Sequence, residues 1–328
     1  MIKKAGIGLF GLLVLGFLSF VVGPKPTFEP IDNTPSQTVY DIANLDQLIA
    51  DREAKVEGIK SDNEARIVWA DSTKQRTPYS IVYLHGFSAS QGEGFPIHLN
   101  LADSLDMNLY LPRLPEHGIA GEEAMTSLTP KLLVDAAKDA IAIGRSIGEK
   151  VIVMSCSTGG TLSIFLSAND PSIAGQILLS PNIEIKNSSA KLVTGPWGKQ
   201  LAYQVMGATR SYPVENEDHG KYWSTAYSTN GVIALQALLD NTMKPEIFEA
   251  IKTPVYCGYY YKDEEEQDNV VSVEAMLEFR EQLQIPADDI EYDAFPDAGN
   301  HVIGCSYRNP YWQRVESEIY DFIMTEFM

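Results

Sequence analysis

The sequence has little cysteine, few basic residues and no metal-binding spacing, and each scarcity removes a class of function. Cys156, Cys257 and Cys305 are the three cysteines in 328 residues. They are too few and too scattered for a disulfide framework; one bridge and one free thiol are the most they allow. No CxxC or histidine-rich spacing occurs, and no phosphate-loop pattern, so neither a metal nor another cofactor is expected. Lys and Arg number 25 against 44 Asp and Glu, a formal net charge of -19. Nucleic-acid binders draw most of their affinity from Lys and Arg that displace counterions, so a nucleic-acid partner is excluded. No internal repeat is visible. Hydrophobic residues at 45% and charged residues at 21% describe an ordinary globular chain, with room for one large domain or a domain carrying an insertion.

The first residues differ in kind. Lys3 and Lys4 precede an uncharged run of 18 residues, Ala5 to Val22, apolar on every face and near the lower limit for a membrane-spanning helix. Pro24 directly follows Gly23, which leaves no good cleavage site, and no cysteine is there to take a lipid. Residues 1–24 are therefore expected to be an uncleaved anchor in preference to a cleaved signal. The basic end would stay in the cytoplasm and the remainder outside, periplasmic or extracellular, or secreted if the segment is removed. Residues 25–62 read as a linker and a short helix. Pro24 to Pro35 is a proline-rich tether that should not pack, and Tyr40 to Val56 carries Ile42, Leu45, Leu48 and Ile49 at helical spacing.

From residue 63 strand and helix signals alternate. Strands are expected at Arg66–Ala70, Tyr79–Leu84, Leu109–Leu111, Val151–Met154, Gly175–Leu179, Val255–Tyr261 and Ile290–Phe295. Helices are expected at Pro130–Ile147, Thr161–Ala168, Val273–Leu283 and after Pro310. The first of these helices should turn Leu132, Leu133, Ala136, Ala140 and Ile143 inward. Short apolar strands alternating with helices of this length imply an α/β fold with a mostly parallel central sheet covered on both faces. The rhythm breaks over about 184–250, where no core strand is apparent and Trp197, Tyr203, Tyr212, Tyr222, Trp223 and Tyr227 crowd in. This is expected to be a helical cap inserted into a single 63–328 domain, with most of the six aromatics in its core.

The stretch Val151-Ile-Val-Met-Ser-Cys-Ser-Thr-Gly-Gly160 runs from a buried strand through a sharp turn at Ser157 into a helix. A serine hydroxyl is a poor nucleophile unless it is exposed, faces a base and has backbone donors for the oxyanion. A strand-to-helix turn supplies exposure and puts the Thr158 N–H at a helix N-terminus. Crowding there demands small residues two positions either side, which here are Ser155 and Gly159, so the motif is S-x-S-x-G in place of G-x-S-x-G. Upstream, Leu84-His-Gly-Phe-Ser-Ala89 closes an earlier strand, and Leu114-Pro-Glu-His-Gly118 forms a further loop.

With these motifs the sequence resembles the α/β-hydrolase superfamily, and its His-Gly-Phe-Ser version resembles the carboxylesterase and monoacylglycerol-lipase branch. The resemblance covers about residues 63–328 except the insertion. It implies the α/β-hydrolase fold, Phe87 and Thr158 as oxyanion donors, a cap over the nucleophile and no cofactor. It implies a base after the last strand, which selects His301 over His85, His98, His117 and His219. The acid is left between two positions. Asp268-Asn-Val-Val-Ser272 matches the family pattern of an aspartate, one residue, two apolar residues and a helix start, whereas Asp263 fits if the acid leaves the strand directly. Asp268 is placed first, and the intervening glutamates read as a solvated charge run.

The resulting order, Ser157, Asp268, His301, is that of the superfamily. The expected activity is hydrolysis of a carboxylic ester of a small molecule through an acyl-enzyme, with the membrane as second partner through the N-terminal segment. Acyl transfer, peptide cleavage and carbon–carbon hydrolysis use the same triad, and a non-catalytic binding protein could keep the fold.

Overall fold

Short runs of β-branched and aromatic residues align as one sheet, and the helices between them cover its faces. The computed structural model describes residues 22–328. The anchor proposed for residues 1–24 thus lies outside the described residues apart from its last three. Among the described residues no helix is long and apolar enough to cross a membrane.

In chain order the elements are α1 (Leu45–Glu53), β1 (Arg66–Val68), β2 (Thr77–Leu84), α2 (Ile97–Ser104), β3 (Asn108–Leu111), α3 (Pro130–Ile147), β4 (Gly148–Cys156), α4 (Thr158–Ser167) and β5 (Ile173–Leu179). An insertion follows, with α5 (Gly198–Met206), β6 (Thr209–Ser211), α6 (Glu217–Tyr222), β7 (Ala226–Ser228), α7 (Thr229–Thr242) and α8 (Pro245–Phe248). The chain then returns to the sheet as β8 (Val255–Tyr259), α9 (Val273–Gln282), β9 (Ile290–Ala294) and α10 (Trp312–Phe327).

The seven-stranded sheet has the order β1-β3-β2-β4-β5-β8-β9. Neighbours are parallel except β1, which runs antiparallel to β3 at one edge. Parallel strands need a covering layer on each face, and β4 shows why its sequence does not alternate in polarity. Ile152 and Met154 pack with Leu101 of α2 and Val315 and Ile319 of α10. Val151 and Val153 pack on the other face with Leu133 and Ile141 of α3 and Leu162 and Phe165 of α4. Both sets of side chains are buried, so the run Val151–Met154 is apolar throughout.

Helix α3 begins where its sequence predicts, because Pro130 fills the first turn and the Thr129 hydroxyl accepts the Leu132 N–H at 3.1 Å. Its buried face agrees with the expected one at Leu133, Ala140 and Ile143 and differs at two positions. Leu133, Val134, Ala137, Ala140 and Ile141 point inward, whereas Leu132 is 42% exposed and Ala136 only half-buried. Val134, Ala137 and Ile141 complete the inward face in place of Leu132 and Ala136, a choice that the helical period alone does not specify.

Two further expectations change. The segment Pro24 to Pro35 packs: Phe28 and Ile31 lie against the core beneath α3 and α4, and the Asn33 side chain donates to Phe165 O at 3.2 Å. Proline removes backbone donors but leaves neighbouring apolar side chains free to bury, so an extended segment can lie on a finished core. The insertion also contains a two-stranded antiparallel pair, β6–β7, alongside its helices. Of its six aromatics, Tyr222, Trp223 and Tyr227 are buried and Tyr203 is half-buried, while Trp197 and Tyr212 are exposed. Half of them, and not most, belong to the core.

Candidate active site

β4 ends at Cys156 and α4 begins at Thr158, so Ser157 alone makes the turn, with φ 51° and ψ -115°. That conformation costs a non-glycine residue about 1–3 kcal/mol, and such strain survives only where surrounding bonds over-determine it. Here they do. The Ser157 N–H donates to Leu179 O at 3.0 Å, and Ser157 O accepts from Gly160 at 2.9 Å, Thr161 at 3.3 Å and Asn182 at 2.9 Å. Ser155 is fully buried and donates its hydroxyl to Ile177 O at 3.2 Å, so a serine replaces the usual glycine without crowding the turn.

Gly159 has no such tolerance. A Cβ there would lie 1.9 Å from Leu84 O, a backbone atom of β2. Gly159→Ala is expected to lower stability by about 3 kcal/mol or more, read from the denaturation midpoint. A loss no larger than that of an ordinary surface substitution would mean that the β2–α4 contact is looser than described.

His301 follows β9 in a loop before α10. Its Nδ1 donates to Asp268 Oδ2 at 2.6 Å. The other Asp268 oxygen, Oδ1, accepts the N–H groups of Val270 at 2.8 Å and Val271 at 3.0 Å. Burial opposes ionisation of Asp268, but the His301 charge and these hydrogen bonds outweigh it and hold the pKa below its ordinary value. Burial likewise works against a proton on His301, and the Asp268 carboxylate overcomes it by charge and hydrogen bond, leaving the pKa raised. Asp263, by contrast, is exposed, and its Oδ1 accepts the N–H groups of Glu265 and Glu266 within its own loop. The structure brings Asp268 to His301, and Asp263 stays in the solvated run.

The other four histidines face backbone. His85 Nε2 accepts the Leu114 N–H at 3.1 Å, and His117 Nδ1 meets Pro115 O at 2.8 Å. His98 Nε2 meets Gln91 O at 2.8 Å, and His219 Nδ1 accepts the Glu215 N–H at 3.1 Å. Burial pushes His85 down to about 3 and His117 and His98 to about 4, so these three are neutral hydrogen-bonders that brace the loops.

Ser157, Thr158, Phe87 and His301 line one cavity of about 740 Å³. Thr158 is the first residue of α4, so its N–H has no intrahelical acceptor. The far walls come from the insertion and are mainly apolar: Val193, Leu201, Ala202, Met206, Val232 and Leu235. Tyr227 packs edge-on against Phe87 with centroids 5.3 Å apart, tying the insertion to the His85–Phe87 loop. The acidic run Asp263 to Glu266 contributes no side chain to this lining, whose charged members are Glu93, Arg210 and His301.

This sheet order, with a strained serine turn after β4 and a His–Asp pair supplied after β9 and β8, decides the fold. The chain has the α/β-hydrolase fold. It is similar to a structure of the metagenome-derived lipolytic enzymes LipS and LipT, with TM-score 0.63 and 12% identity over 81% of this chain and 99% of that one. It is similar also to a monoacylglycerol lipase of Paleococcus ferrophilus, with TM-score 0.58 and 17% identity over 80% and 98%. A third is Est1E from Butyrivibrio proteoclasticus with ferulic acid bound, with TM-score 0.53 and 14% identity over 83% and 99%. No family profile and no curated protein matches the sequence. Within this fold the three cysteines are buried and unpaired, so Cys257 and Cys305 form no bridge.

One residue of the site was not legible in the sequence. Glu93 lines the cavity and is 3% exposed, with Oε2 accepting the Gly86 N–H at 2.6 Å. Its sequence context, Gln91-Gly-Glu-Gly94, reads as a polar turn. The one signal is a carboxylate between two glycines shortly after the His85-Gly86-Phe87 loop, and nothing in that pattern foretells burial.

Proposed function

We propose that the protein is a serine hydrolase that cleaves carboxylic esters through an acyl-enzyme. The observation that carries this reading is the His301–Asp268 pair at 2.6 Å on the wall of the cavity that holds the strained Ser157 turn. Ser157 Oγ attacks the ester carbonyl carbon while His301 Nε2 takes its proton. Asp268 keeps Nδ1 protonated, so Nε2 is free to accept, and it stabilises the imidazolium that results. The negative charge passes to the former carbonyl oxygen, where the N–H groups of Phe87 and Thr158 receive it. His301 returns the proton to the departing alcohol as the acyl–oxygen bond breaks. Water then attacks the acyl carbon as it gives a proton to His301, and His301 passes that proton to Ser157 Oγ as the Oγ–acyl bond breaks and the acid leaves.

The apolar walls from the insertion favour neutral acyl chains of short to medium length, and excluding water there strengthens the oxyanion contacts. The net charge of -19 also discourages anionic substrates from approaching. A fluorophosphonate probe should label the native protein and not Ser157→Ala. A panel of nitrophenyl esters should show faster turnover of neutral esters than of carboxylate-bearing ones of equal length. Native protein that neither labels nor hydrolyses any member of the panel would end this reading. For residues 1–24 the proposal remains an anchor or signal that exports the catalytic domain.

A further inference from the structure

The acyl-enzyme route leaves the buried carboxyl of Glu93, which lines the cavity, without a part. Its carboxyl sits in the short turn Gln91–Gly94 and is held from several sides. Besides the Gly86 N–H at 2.6 Å, the Tyr83 hydroxyl of β2 lies 3.4 Å from Oε2. Cys156 at the end of β4 faces it, as do Cys305 and His301 of the C-terminal loop, and Asp268 bears in turn on Cys156. Among the described residues no Lys or Arg pairs with it. Gly86 is wedged between this carboxyl and the nucleophile. A Cβ at 86 would lie 2.7 Å from Glu93 Oε1 and 3.1 Å from Ser157 Cβ.

We infer that Glu93 is a positioning residue for the reaction: it anchors the Gly86 amide next to the Phe87 oxyanion donor, and its charge is a second counter-ion for the imidazolium of His301. This rests on the serine-hydrolase reading of Ser157. The anchor matters because Gly86 immediately precedes Phe87. A donor serves an oxyanion only if it is aimed before the charge develops, and a glycine on its N-terminal side is the weakest point of that aim. The counter-ion role follows from placement, since Asp268 bonds His301 Nδ1 from behind the cavity wall and Glu93 is the carboxylate that lines the cavity with His301.

The two roles titrate. Burial pushes the Glu93 carboxyl up to about 7 against the lowering effect of the Gly86 hydrogen bond. Its charge, after that of Asp268, helps to raise His301. Groups that interact in this way titrate as a pair. Activity needs neutral His301, so it rises with pH through the pair's range. Taking away the Glu93 charge makes His301 lose its proton more readily, and the acid limb must move to lower pH.

The test is the rate at which a fluorophosphonate labels Ser157 between about pH 5 and about pH 9, in native protein, Glu93→Gln, Glu93→Ala and Glu93→Asp. Gln keeps an acceptor for the Gly86 N–H and removes the charge. Its plateau should stay within about tenfold of native, with the acid limb displaced to lower pH. Ala removes both and should lower the plateau by about a hundredfold, the loss seen when one oxyanion donor is misplaced. Asp keeps the charge but falls short of Gly86, so it should recover the native acid limb and not the plateau. If Ala fails to fold, the Gln and Asp profiles decide the question between them. A Gln profile superimposed on the native one, or equal plateau losses in Gln and Ala, would overturn this role while leaving Ser157 as nucleophile. No labelling of the native protein would overturn the assignment of Ser157, and this role with it.

Discussion

Ser157→Ala is expected to lower ester turnover by roughly a million-fold while leaving the fold intact. The size of the effect follows from what the hydroxyl does. Without it no acyl-enzyme can form, and what remains is water attack assisted by the oxyanion donors alone. The fold should survive because the turn is held by backbone bonds, Ser157 N–H to Leu179 O and Ser157 O to three amides, none of which needs the side chain. Alanine adopts the φ of 51° no worse than serine. Circular dichroism and the thermal midpoint should therefore match the native protein. Ser155→Ala is the control. It loses the bond to Ile177 O, worth about 1 kcal/mol, and should keep most of the activity. An inactive Ser155→Ala beside an active Ser157→Ala would mean that the nucleophile sits two residues earlier and that the strained turn serves another purpose.

Asp268→Asn should cost roughly ten-thousand-fold in turnover, and Asp263→Asn less than about twofold. An amide at 268 can present its NH2 to His301 Nδ1. The ring then protonates on Nε2, which is the nitrogen that must accept the serine proton. The substitution also unpairs the buried imidazolium, because Asp268 is fully buried and holds Nδ1 at 2.6 Å. Asp263 only organises its own exposed loop through Glu265 and Glu266. Measuring both variants on one neutral ester, at a pH above the His301 transition, separates the two assignments. Equal losses, or a larger loss for Asp263→Asn, would show that the loop rearranges when substrate binds and that the observed pair is not the working one.

Much of this molecule is written locally. Strands β2, β4, β5 and β8 are short and apolar on both faces because each is covered twice. That pattern, with helices between, already implies a parallel sheet. The turn at Ser157 is equally local: a buried strand, small residues at 155 and 159 and an immediate helix leave few other conformations. The Thr129–Pro130 start of α3 follows from capping chemistry alone.

What tertiary structure alone decides are the contacts between segments far apart in the chain. Sequence pattern placed Asp268 ahead of Asp263 but left both open, since both carboxylates follow β8 and differ in where the loop carries them. The choice is made by amides of Val270 and Val271 that cup one oxygen and by a histidine 33 positions later that takes the other. Phe28 and Ile31 looked like part of a tether because proline content describes a segment's own bonds and not the surface it meets. Which residues complete the inward face of α3, and which cap aromatics are buried, depend on what stands opposite each side chain. Glu93 is the clearest case. A carboxylate between glycines reads as solvent-facing, and only the packing of β2, the end of β4 and the His301 loop around it turns it into a buried carboxyl on the cavity that holds Ser157. Periodicity and local chemistry determine which elements form, and the partners across the interior determine which side chains meet, because burial and electrostatic coupling are properties of the assembled site.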